Sequence, residues 1–211
     1  MLQQLVQGAR SRQLQSCVLT FEPHPREFFS PSDAPPRIQN IRDKLIALKN
    51  HDIDQVVIAE FNQAFSQLSP DEFVKKVLIE GLNAKWLLIG DDFCYGAKRA
   101  GNFKSLVNAG KKFGFEVSSI STVLESNERI SSSLLRRALE DGHMDQASRL
   151  LGRPYSISGH VLYGKQLGRE LGFPTINLAV STLRPREKPV TSGIFVAQVH
   201  GIKSHPIPAV A

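Results

Sequence analysis

The chain has 211 residues, a length that favours one domain plus part of a second. Hydrophobic residues make up 41% and charged residues 22%, so the composition supports a packed core and excludes a disordered chain. No apolar stretch approaches the roughly 20 residues that cross a bilayer, and the start lacks the apolar core of a secretion signal, so we expect a cytoplasmic protein with no membrane partner.

Charge and cysteine content narrow the class of protein further. The net charge of +6 favours a polyanionic partner, either nucleotide phosphates or a nucleic acid. The basic residues are spread out and form no continuous tract with interleaved aromatics, which makes a nucleic-acid-binding module the minor alternative. Cys17 and Cys94 are too few for a disulfide framework and lack metal-ligand spacing, so both are predicted to be small buried hydrophobic residues.

Short apolar, β-branched runs alternate with helical patterns in the first part of the chain. The strand candidates are Cys17–Phe21, Gln55–Phe61, Lys85–Gly90 and Glu116–Thr122. The helix candidates are Ile41–Asn50, Pro70–Glu80 and Phe103–Phe113. This alternation is typical of βαβ crossovers and predicts an α/β domain with a parallel sheet.

The helix predicted from Pro70 has the clearest start signal. Ser69 can cap it, Pro70 suits its first turn, and Glu72 stands where a capping box needs a carboxylate. The apolar positions at helical spacing are predicted to face the sheet: Phe73, Val77, Leu78 and Leu82.

The pattern changes after Leu151. The segment SSSLLRRALEDG predicts a helix that ends at Gly142, and a second short helix ends at Gly152. We therefore predict a first domain over residues 1–151 and a second over 152–211. Strand candidates then follow at Tyr155–Tyr163, Thr175–Val180 and Ile194–Val199. These strands predict the beginning of an antiparallel β-barrel, with too few strands to close it.

Ligands of open parallel sheets bind beyond the carboxyl ends of the strands, so the loops after the strands are the candidate sites. In the ISSS segment, a helix N-terminus offers backbone N–H groups to phosphate, Ser131, Ser132 and Ser133 add hydroxyls, and Arg136 adds a planar fork. The alternative is ordinary serine capping beside a solvated arginine. We expect this segment to converge in space with two other loops.

Those two loops follow the first and third predicted strands. In GDDFCYGAKRAG, the carboxylates of Asp91 and Asp92 and the ring of Phe93 suit a planar ligand, although a tight turn with exposed acids is the alternative. In FEPHP, His24 stands between two prolines and lacks further ligands at zinc spacing. It is therefore predicted to be a positioned hydrogen-bonding residue.

The second domain carries a glycine-rich run followed by hydroxyl and amide groups. Gly164, Lys165 and Gly168 belong to a loop that can wrap phosphates, although glycines also serve strand bends. Thr175 and Asn177 offer oxygen ligands for Mg²⁺ or its waters. The run is not a Walker A loop, because GxxxxGK followed by Ser or Thr is absent.

Taken together and in this order, FEPHP, GDDFCYGAKRAG, ISSSLLRRAL and GRELGFPTINL resemble the bacterial bifunctional riboflavin kinase/FAD synthetase family. The resemblance covers essentially the whole chain. It implies a Rossmann-like nucleotidyltransferase domain that transfers AMP from ATP to FMN, giving FAD, followed by a riboflavin kinase module that phosphorylates riboflavin to FMN. The implied partners are small molecules, namely ATP with Mg²⁺, riboflavin, FMN and FAD, with no nucleic acid.

The resemblance also implies roles for individual residues. Ser131, Ser132, Ser133 and Arg136 match the family's ISSTxxR element, with Ser133 in place of Thr, so Ser133 and Arg136 are the catalytic candidates. The loop with Asp91, Asp92 and Phe93 lines the flavin and adenylate site, and His24 lies in a histidine-containing strand-end motif. Thr175 and Asn177 match the PTAN motif that holds Mg²⁺ and ATP, with Ile176 in place of Ala.

Two family motifs are absent from the sequence. No HxGH motif occurs in the chain, and the resemblance implies that this motif lies upstream of Met1. It likewise implies that the catalytic glutamate of the kinase lies downstream of Ala211. Because nucleotidyl and phosphoryl transfer depend on positioned charge, we expect a fragment that binds nucleotide or flavin weakly and turns over poorly. A non-catalytic paralogue that binds flavin nucleotides is the alternative.

Overall fold

The computed structural model describes residues 1–90, 92–120, 124–125, 128–164, 172, 175–179 and 189–211. The chain forms two compact units. The first contains Met1–Pro35 and Lys44–Val123, and the second contains Pro36–Asp43 and Leu124–Ala211. Within the described ranges, none of the helices has the length and apolar character needed to traverse a bilayer.

The elements up to Ile120 alternate between helices and strands, as the sequence predicts. In chain order they are α1 (Leu2–Ser11), β1 (Cys17–Glu22), α2 (Pro25–Phe29), α3 (Ile41–Lys49), β2 (Gln55–Glu60), α4 (Gln63–Ser66), α5 (Pro70–Glu72), a π-helix (Phe73–Gly81), β3 (Trp86–Gly90), β4 (Cys94–Tyr95), a 3₁₀ turn (Ala97–Arg99), β5 (Gly101–Asn102), α6 (Phe103–Phe113) and β6 (Glu116–Ile120). All four predicted strands and all three predicted helices are present, and residues 121–122 of the fourth predicted strand lie outside the described residues.

Parallel pairing confirms the α/β class. Strand β1 pairs in parallel with β2, with Cys17 opposite Gln55, and β3 pairs in parallel with β6, with Trp86 opposite Glu116. Each pair is connected through helical segments, which is the connection that parallel strands require. A short antiparallel pair, β4 with β5, follows β3.

The core of the first unit lies against the helix that was predicted from Pro70. Its buried residues are Phe73, Val74, Leu78, Tyr95, Leu106 and Phe115, and the strand residues Leu19, Leu87, Ile89 and Val117 pack around them. The Ser69 and Glu72 capping box is present, and Phe73 and Leu78 are buried as predicted. From Phe73 onward, however, the helix is wound as a π-helix, and Val74 is buried as well.

An N-terminal helix that the sequence analysis did not predict packs on β3. Gly8 of α1 lies against the indole of Trp86, where a Cβ atom would clash with the ring. The Arg12 guanidinium lies 4.5 Å from the centre of that ring, and its Nε and Nη2 donate to Glu116 Oε2 at 3.1 and 3.0 Å. The Trp86 Nε1–H donates to Ser118 Oγ at 2.9 Å. These contacts fasten α1 to the β3–β6 pair.

The second unit contains two helices packed over a small apolar core. Its described elements are β7 (Leu124–Glu125), β8 (Glu128–Arg129), α7 (Ser132–Glu140), α8 (Met144–Leu151), β9 (His160–Leu162), β10 (Asn177–Ala179), β11 (Val196–Val199) and β12 (Ile207–Val210). Gly142 and Gly152 follow the two helices with φ of +74° and +69°, which confirms both predicted glycine ends. Leu135, Ala138, Leu139, Ala147 and Val190 form the core.

The strands of this unit are antiparallel and shorter than predicted. Strand β9 pairs with β10, and β11 pairs with β12. Strand β12 was not predicted from the sequence. The prediction of a strand from Tyr155 is wrong up to Gly159, because the backbone N–H and C=O of Ser158 are bonded to the side chains of Asp43 and Asn40 instead of a neighbouring strand. The described residues therefore give a mixed α/β chain with parallel and antiparallel pairs.

Candidate functional site

Aromatic rings cluster where β1 and β2 end. Phe61, which directly follows β2, has its ring centre 5.8 Å from Phe21 at the end of β1. The rings of Phe28 and Phe29 on α2 lie 5.5 and 5.6 Å from Phe61, both edge to face. Phe29 is 64% exposed, so the cluster presents an aromatic surface to solvent. Phe28, Phe29 and Phe61 were not among the predicted site residues, although α2 follows the end of β1 closely and Phe61 directly follows β2.

The same chain of ring contacts reaches the loop after β3. Phe65 contacts Phe61 at 5.7 Å and Phe73 at 6.2 Å, and Phe73 contacts Tyr95 at 5.4 Å. Tyr95 in turn stacks on Phe93, with ring centres 5.8 Å apart and planes inclined by 18°. Continuous aromatic packing thus connects the strand-end loops of β1, β2 and β3, which brings two of the three predicted loops into one cluster.

His24 holds the start of α2. Its Nδ1 accepts from the Arg26 N–H at 3.2 Å, and its own N–H donates to Glu27 Oε2 at 3.0 Å, which completes a capping box. Because Nδ1 accepts a hydrogen bond, the neutral imidazole carries its proton on Nε2. The prediction of a positioned hydrogen-bonding residue is consistent with this geometry, and the helix that His24 positions carries Phe28 and Phe29.

In the loop after β3, Asp92 lies over a glycine. An added Cβ at Gly90 would meet Asp92 Oδ1 at 2.9 Å, so the absence of a side chain at Gly90 makes room for the carboxylate. The Phe93 N–H donates to Gly90 O at 3.1 Å, which closes the turn. Asp92 is exposed and Phe93 is half-buried. The predicted site residue Asp91 lies outside the described residues.

The serine segment begins α7, as predicted. Ser131 Oγ accepts from the Leu134 N–H at 3.2 Å, so this hydroxyl acts as the helix N-cap. Ser132 and Ser133 are exposed in the first turn. A helix N-terminus with two exposed hydroxyls suits an anion, because unpaired N–H groups and the helix dipole both favour negative charge. Ser131 thus caps the helix, and the hydroxyls of Ser132 and Ser133 are left at the surface of its first turn.

Arg136 stands one turn into α7 and is held by the backbone. Its Nε donates to Pro36 O at 2.8 Å. Ser131, Ser132, Ser133 and Arg136 belong to the second unit, whereas His24, Asp92 and Phe93 belong to the first. The structure thus gives the local geometry of each group, and the expected convergence of all three loops stays a prediction.

The glycine-rich run of the second unit is described in part. The side chain of Asn177 lies over Gly164, where a Cβ atom would clash with Asn177 Nδ2, so the structure brings these two predicted residues together. Thr175 is exposed two residues before Asn177. Lys165 and Gly168 lie outside the described residues. Among the described residues, no group of three His, Cys, Asp or Glu side chains is arranged to hold a metal ion.

Two protein-family models match this chain. The FAD synthetase model matches residues 1–134, and the riboflavin kinase model matches residues 151–211. The first match covers the parallel pairs, the aromatic cluster and the start of α7. The chain therefore belongs to the family of bifunctional riboflavin kinase/FAD synthetases, which confirms the resemblance noted in the sequence.

Curated relatives carry both functions in their names. The bifunctional riboflavin kinase/FMN adenylyltransferase of Escherichia coli (strain K12) is 40% identical over 211 residues, which is 100% of this chain and 66% of the relative. The protein of the same name from Pseudomonas fluorescens is 43% identical over 184 residues, covering 87% of this chain and 58% of the relative. The chain thus spans just under two thirds of the length of the first relative and less of the second.

A solved structure has the same fold. The crystal structure described as a macrolide-efflux protein from Streptococcus pneumoniae superposes with a TM-score of 0.77 and 27% sequence identity. The match covers 99% of this chain and 67% of that one.

Proposed function

We propose that the complete gene product makes FMN and FAD, phosphorylating riboflavin with ATP and then transferring AMP from ATP to FMN. The chain's membership of the riboflavin kinase/FAD synthetase family, with both family models matched, supports this proposal. The observation that carries it is the aromatic cluster. It lies at the carboxyl ends of parallel strands, which is where α/β sheets bind their ligands.

We propose that this aromatic cluster receives the flavin. The isoalloxazine ring is planar and largely apolar, so stacked or edge-to-face aromatic side chains suit it. Phe29 offers an exposed ring, and Phe93, which follows Asp92 in the chain, is half-buried and stacks on Tyr95. His24 contributes by holding α2, and Asp91 and Asp92 offer acceptors for the N–H and hydroxyl groups of a flavin nucleotide.

The start of α7 is proposed to bind the phosphates of ATP. Ser132 and Ser133 supply exposed hydroxyls at the positive end of the helix dipole, and Ser131 fixes the first turn. Arg136 supplies a guanidinium, whose donors match phosphate oxygens. Arg136 and Ser133 are therefore the proposed catalytic residues of adenylyl transfer.

In the second module, we propose that Thr175 and Asn177 hold the Mg²⁺ of ATP. Hydroxyl and amide oxygens are hard ligands of the kind that Mg²⁺ prefers, so the chemistry of these two side chains fits the ion. Bound there, Mg²⁺ would neutralise charge on the phosphates. We also propose that the loop with Gly164, Lys165 and Gly168 wraps the phosphate chain. The contact between Gly164 and Asn177 supports one shared site for this loop and the Mg²⁺ ligands.

We further propose that residues 1–151 and 152–211 are the two catalytic modules and that the second is a β-barrel. The riboflavin kinase match begins at residue 151. The antiparallel pairs β9–β10 and β11–β12 leave apolar side chains open to solvent, with Val161 62% and Val196 92% exposed. Further strands of a barrel would bury such side chains.

The test is an assay of the complete gene product with riboflavin, ATP and Mg²⁺ in which FMN and FAD are quantified separately. We expect FMN to form first and FAD to follow. FMN that accumulates without FAD would refute adenylyl transfer. Saturable flavin binding without either product would favour the non-catalytic paralogue. Polynucleotide binding that falls steeply with salt, with no flavin binding, would favour the nucleic-acid module.

A further inference from the structure

We propose that Asn40 is a positioning residue for Arg136, acting through the segment Pro36–Asp43, which we term the strap. The strap belongs to the second unit by its contacts. This inference rests on the proposed function, because the expected effect is on the ATP that Arg136 binds. Three sets of contacts fix the strap, at its beginning, middle and end.

The first contact is between the strap and Arg136 itself. The Pro36 carbonyl accepts from Arg136 Nε at 2.8 Å. Because the guanidinium is rigid and planar, a bond at Nε sets the direction in which the other N–H donors point. The Pro36 carbonyl oxygen is therefore one of the groups that set the orientation of the proposed phosphate-binding side chain. Pro35 and Pro36 restrict the backbone at this point, since proline fixes φ and limits the residue before it.

The second contact is apolar. Ile38 packs against the core formed by Leu135, Ala138 and Leu139 of α7 with Ala147 and Val190. Leu135 immediately precedes Arg136 in the helix. The middle of the strap thus packs against a core to which α7, the helix that carries Arg136, contributes three residues.

The third set of contacts holds the end of the strap. Asn40 Oδ1 accepts from the Asp43 N–H at 2.8 Å, which caps α3, and Asn40 Nδ2 donates to Ser158 O at 2.9 Å. Asp43 Oδ2 accepts from the Ser158 N–H at 3.1 Å. Both backbone groups of Ser158 are therefore bonded to the strap. Ser158 lies between α8 and β9, in the first residues of the second proposed module. The strap therefore links this segment to Arg136 through hydrogen bonds.

From these contacts, Asn40 has two separable functions. Its Oδ1 caps α3, and its Nδ2 fixes the strap on Ser158. Loss of the Nδ2 bond alone lets the end of the strap shift, so that the Pro36 carbonyl holds Arg136 less well. Asn40→Ser separates the two, because serine caps helices well but its side chain is too short to reach the Ser158 carbonyl. Asn40→Asp is a second variant that keeps the capping oxygen and replaces the donor with an acceptor.

The experiment measures FAD formation by the complete gene product at varied ATP. Asn40→Ser is expected to raise KM for ATP roughly threefold to tenfold, the value of one lost hydrogen bond. Asn40→Asp is expected to raise it at least as much. The matched control is Gln55→Ser, which removes a side-chain amide that donates to Gln15 Oε1 at 2.7 Å in the first unit and should leave KM unchanged.

A double-mutant cycle with Arg136→Lys tests whether Asn40 acts through Arg136. Lysine keeps the charge but lacks the planar guanidinium that the bond to Pro36 orients. In the Arg136→Lys background, Asn40→Ser should therefore cause little additional change in KM. The inference would be overturned if the two substitutions raised KM by factors that multiply in the double variant. It would also be overturned by an Asn40→Ser protein with lowered thermal stability and normal KM. If the wild-type product forms no FAD, the proposed function itself fails, whereas FAD formation with multiplying effects refutes only the positioning role.

Discussion

Ser16 and Asp54 join the amino ends of β1 and β2. Asp54 Oδ2 accepts from the Ser16 hydroxyl at 2.7 Å and from the Ser16 N–H at 2.8 Å, and the Asp54 N–H donates back to Ser16 Oγ at 3.0 Å. Each residue directly precedes its strand, so the three bonds fix the register at which Cys17 meets Gln55. The Ser16 hydroxyl lowers the pKa of Asp54, with a further contribution from the Ser16 N–H.

This pair predicts a stability loss for Ser16→Ala. Ser16 is 1% exposed and Asp54 is exposed, so the change removes a buried hydroxyl and its two hydrogen bonds, while water can reach the Asp54 groups. We expect the free energy of unfolding to fall by about 0.5–1.5 kcal/mol, measured by urea denaturation followed by Trp86 fluorescence. Ser11→Ala is the control, because the Ser11 hydroxyl bonds Gly8 O at an exposed position. An equal effect of the two substitutions would contradict the prediction.

Glu72 predicts a dependence of stability on acid pH. The Ser69 N–H, then the Lys76 ammonium and the Ser69 hydroxyl, lower the pKa of Glu72 from 4.5 to about 2. Because the folded-state pKa lies below the unfolded value, ionised Glu72 stabilises the fold fully above pH 4.5, and this contribution is lost as the pH falls toward 2. Unfolding of Glu72→Gln should therefore differ most from wild type near neutral pH.

The difference between wild type and Glu72→Gln should shrink between pH 4.5 and 2, measured by denaturation at each pH. Lys76→Met removes the partner that lies 3.0 Å from Glu72 Oε1 and should reduce the pH dependence in part. A Glu72→Gln protein whose difference from wild type stays constant across this range would show that the capping carboxylate does not titrate as the geometry requires.

Local signals predicted the elements of the fold better than their details. Alternation of apolar runs predicted β1, β2, β3 and β6, and the Ser69 capping box predicted a helix start to the residue. The π-helix was not predictable, because residues 73, 77 and 78 fit a 3.6-residue period as well as a wider one over so short a span. The strand predicted from Tyr155 failed because its backbone partners are side chains more than a hundred positions earlier.

The candidate site was predictable where it depends on contiguous motifs. Ser131 as a helix start follows from its own segment. The bond between Arg136 and Pro36 joins residues 100 positions apart, and no local pattern marks the carbonyl that accepts it. The aromatic cluster joins Phe28 to Phe61 across intervening helix and strand, so its members read separately as ordinary core residues. Both features depend on contacts between residues that are distant in the sequence, which local motifs do not reveal.

Substitution of Gly8 by alanine should have the opposite effect to the one that helix propensity predicts. In an exposed helix interior, Gly→Ala stabilises by up to about 1 kcal/mol, but a Cβ atom at Gly8 would clash with the Trp86 indole. Overpacking of this kind costs about 1–3 kcal/mol, so Gly8→Ala should destabilise the protein and shift the Trp86 emission. Gln7→Ala on the exposed face of α1 is the matched control and should change both quantities little. A stabilised Gly8→Ala protein would contradict the packing of α1 on β3.

The serines of α7 predict a separation between stability and ATP binding. Ser131→Ala removes the N-cap that bonds the Leu134 N–H, so we expect a loss of about 1 kcal/mol in the free energy of unfolding. Ser133→Ala removes an exposed hydroxyl, so the stability should stay within about 0.5 kcal/mol while KM for ATP in FAD formation rises. The comparison requires both measurements on each variant. Equal loss of stability in the two variants would assign a structural role to Ser133 as well.

Phe29 predicts a selective loss of flavin binding. Its ring is 64% exposed and contacts Phe28 and Phe61 only edge to face, so truncation to Ala should lower the free energy of unfolding by less than about 1 kcal/mol. If this ring stacks on or borders the isoalloxazine, its loss should weaken FMN binding roughly fivefold or more, the value of one aromatic contact. Quenching of FMN fluorescence on titration of the complete gene product measures this affinity. Ile46→Ala is the control, because Ile46 is a 47% exposed apolar side chain on α3 that takes no part in the aromatic cluster. Unchanged FMN affinity in Phe29→Ala would move the flavin away from α2 and leave Phe93 as its aromatic partner.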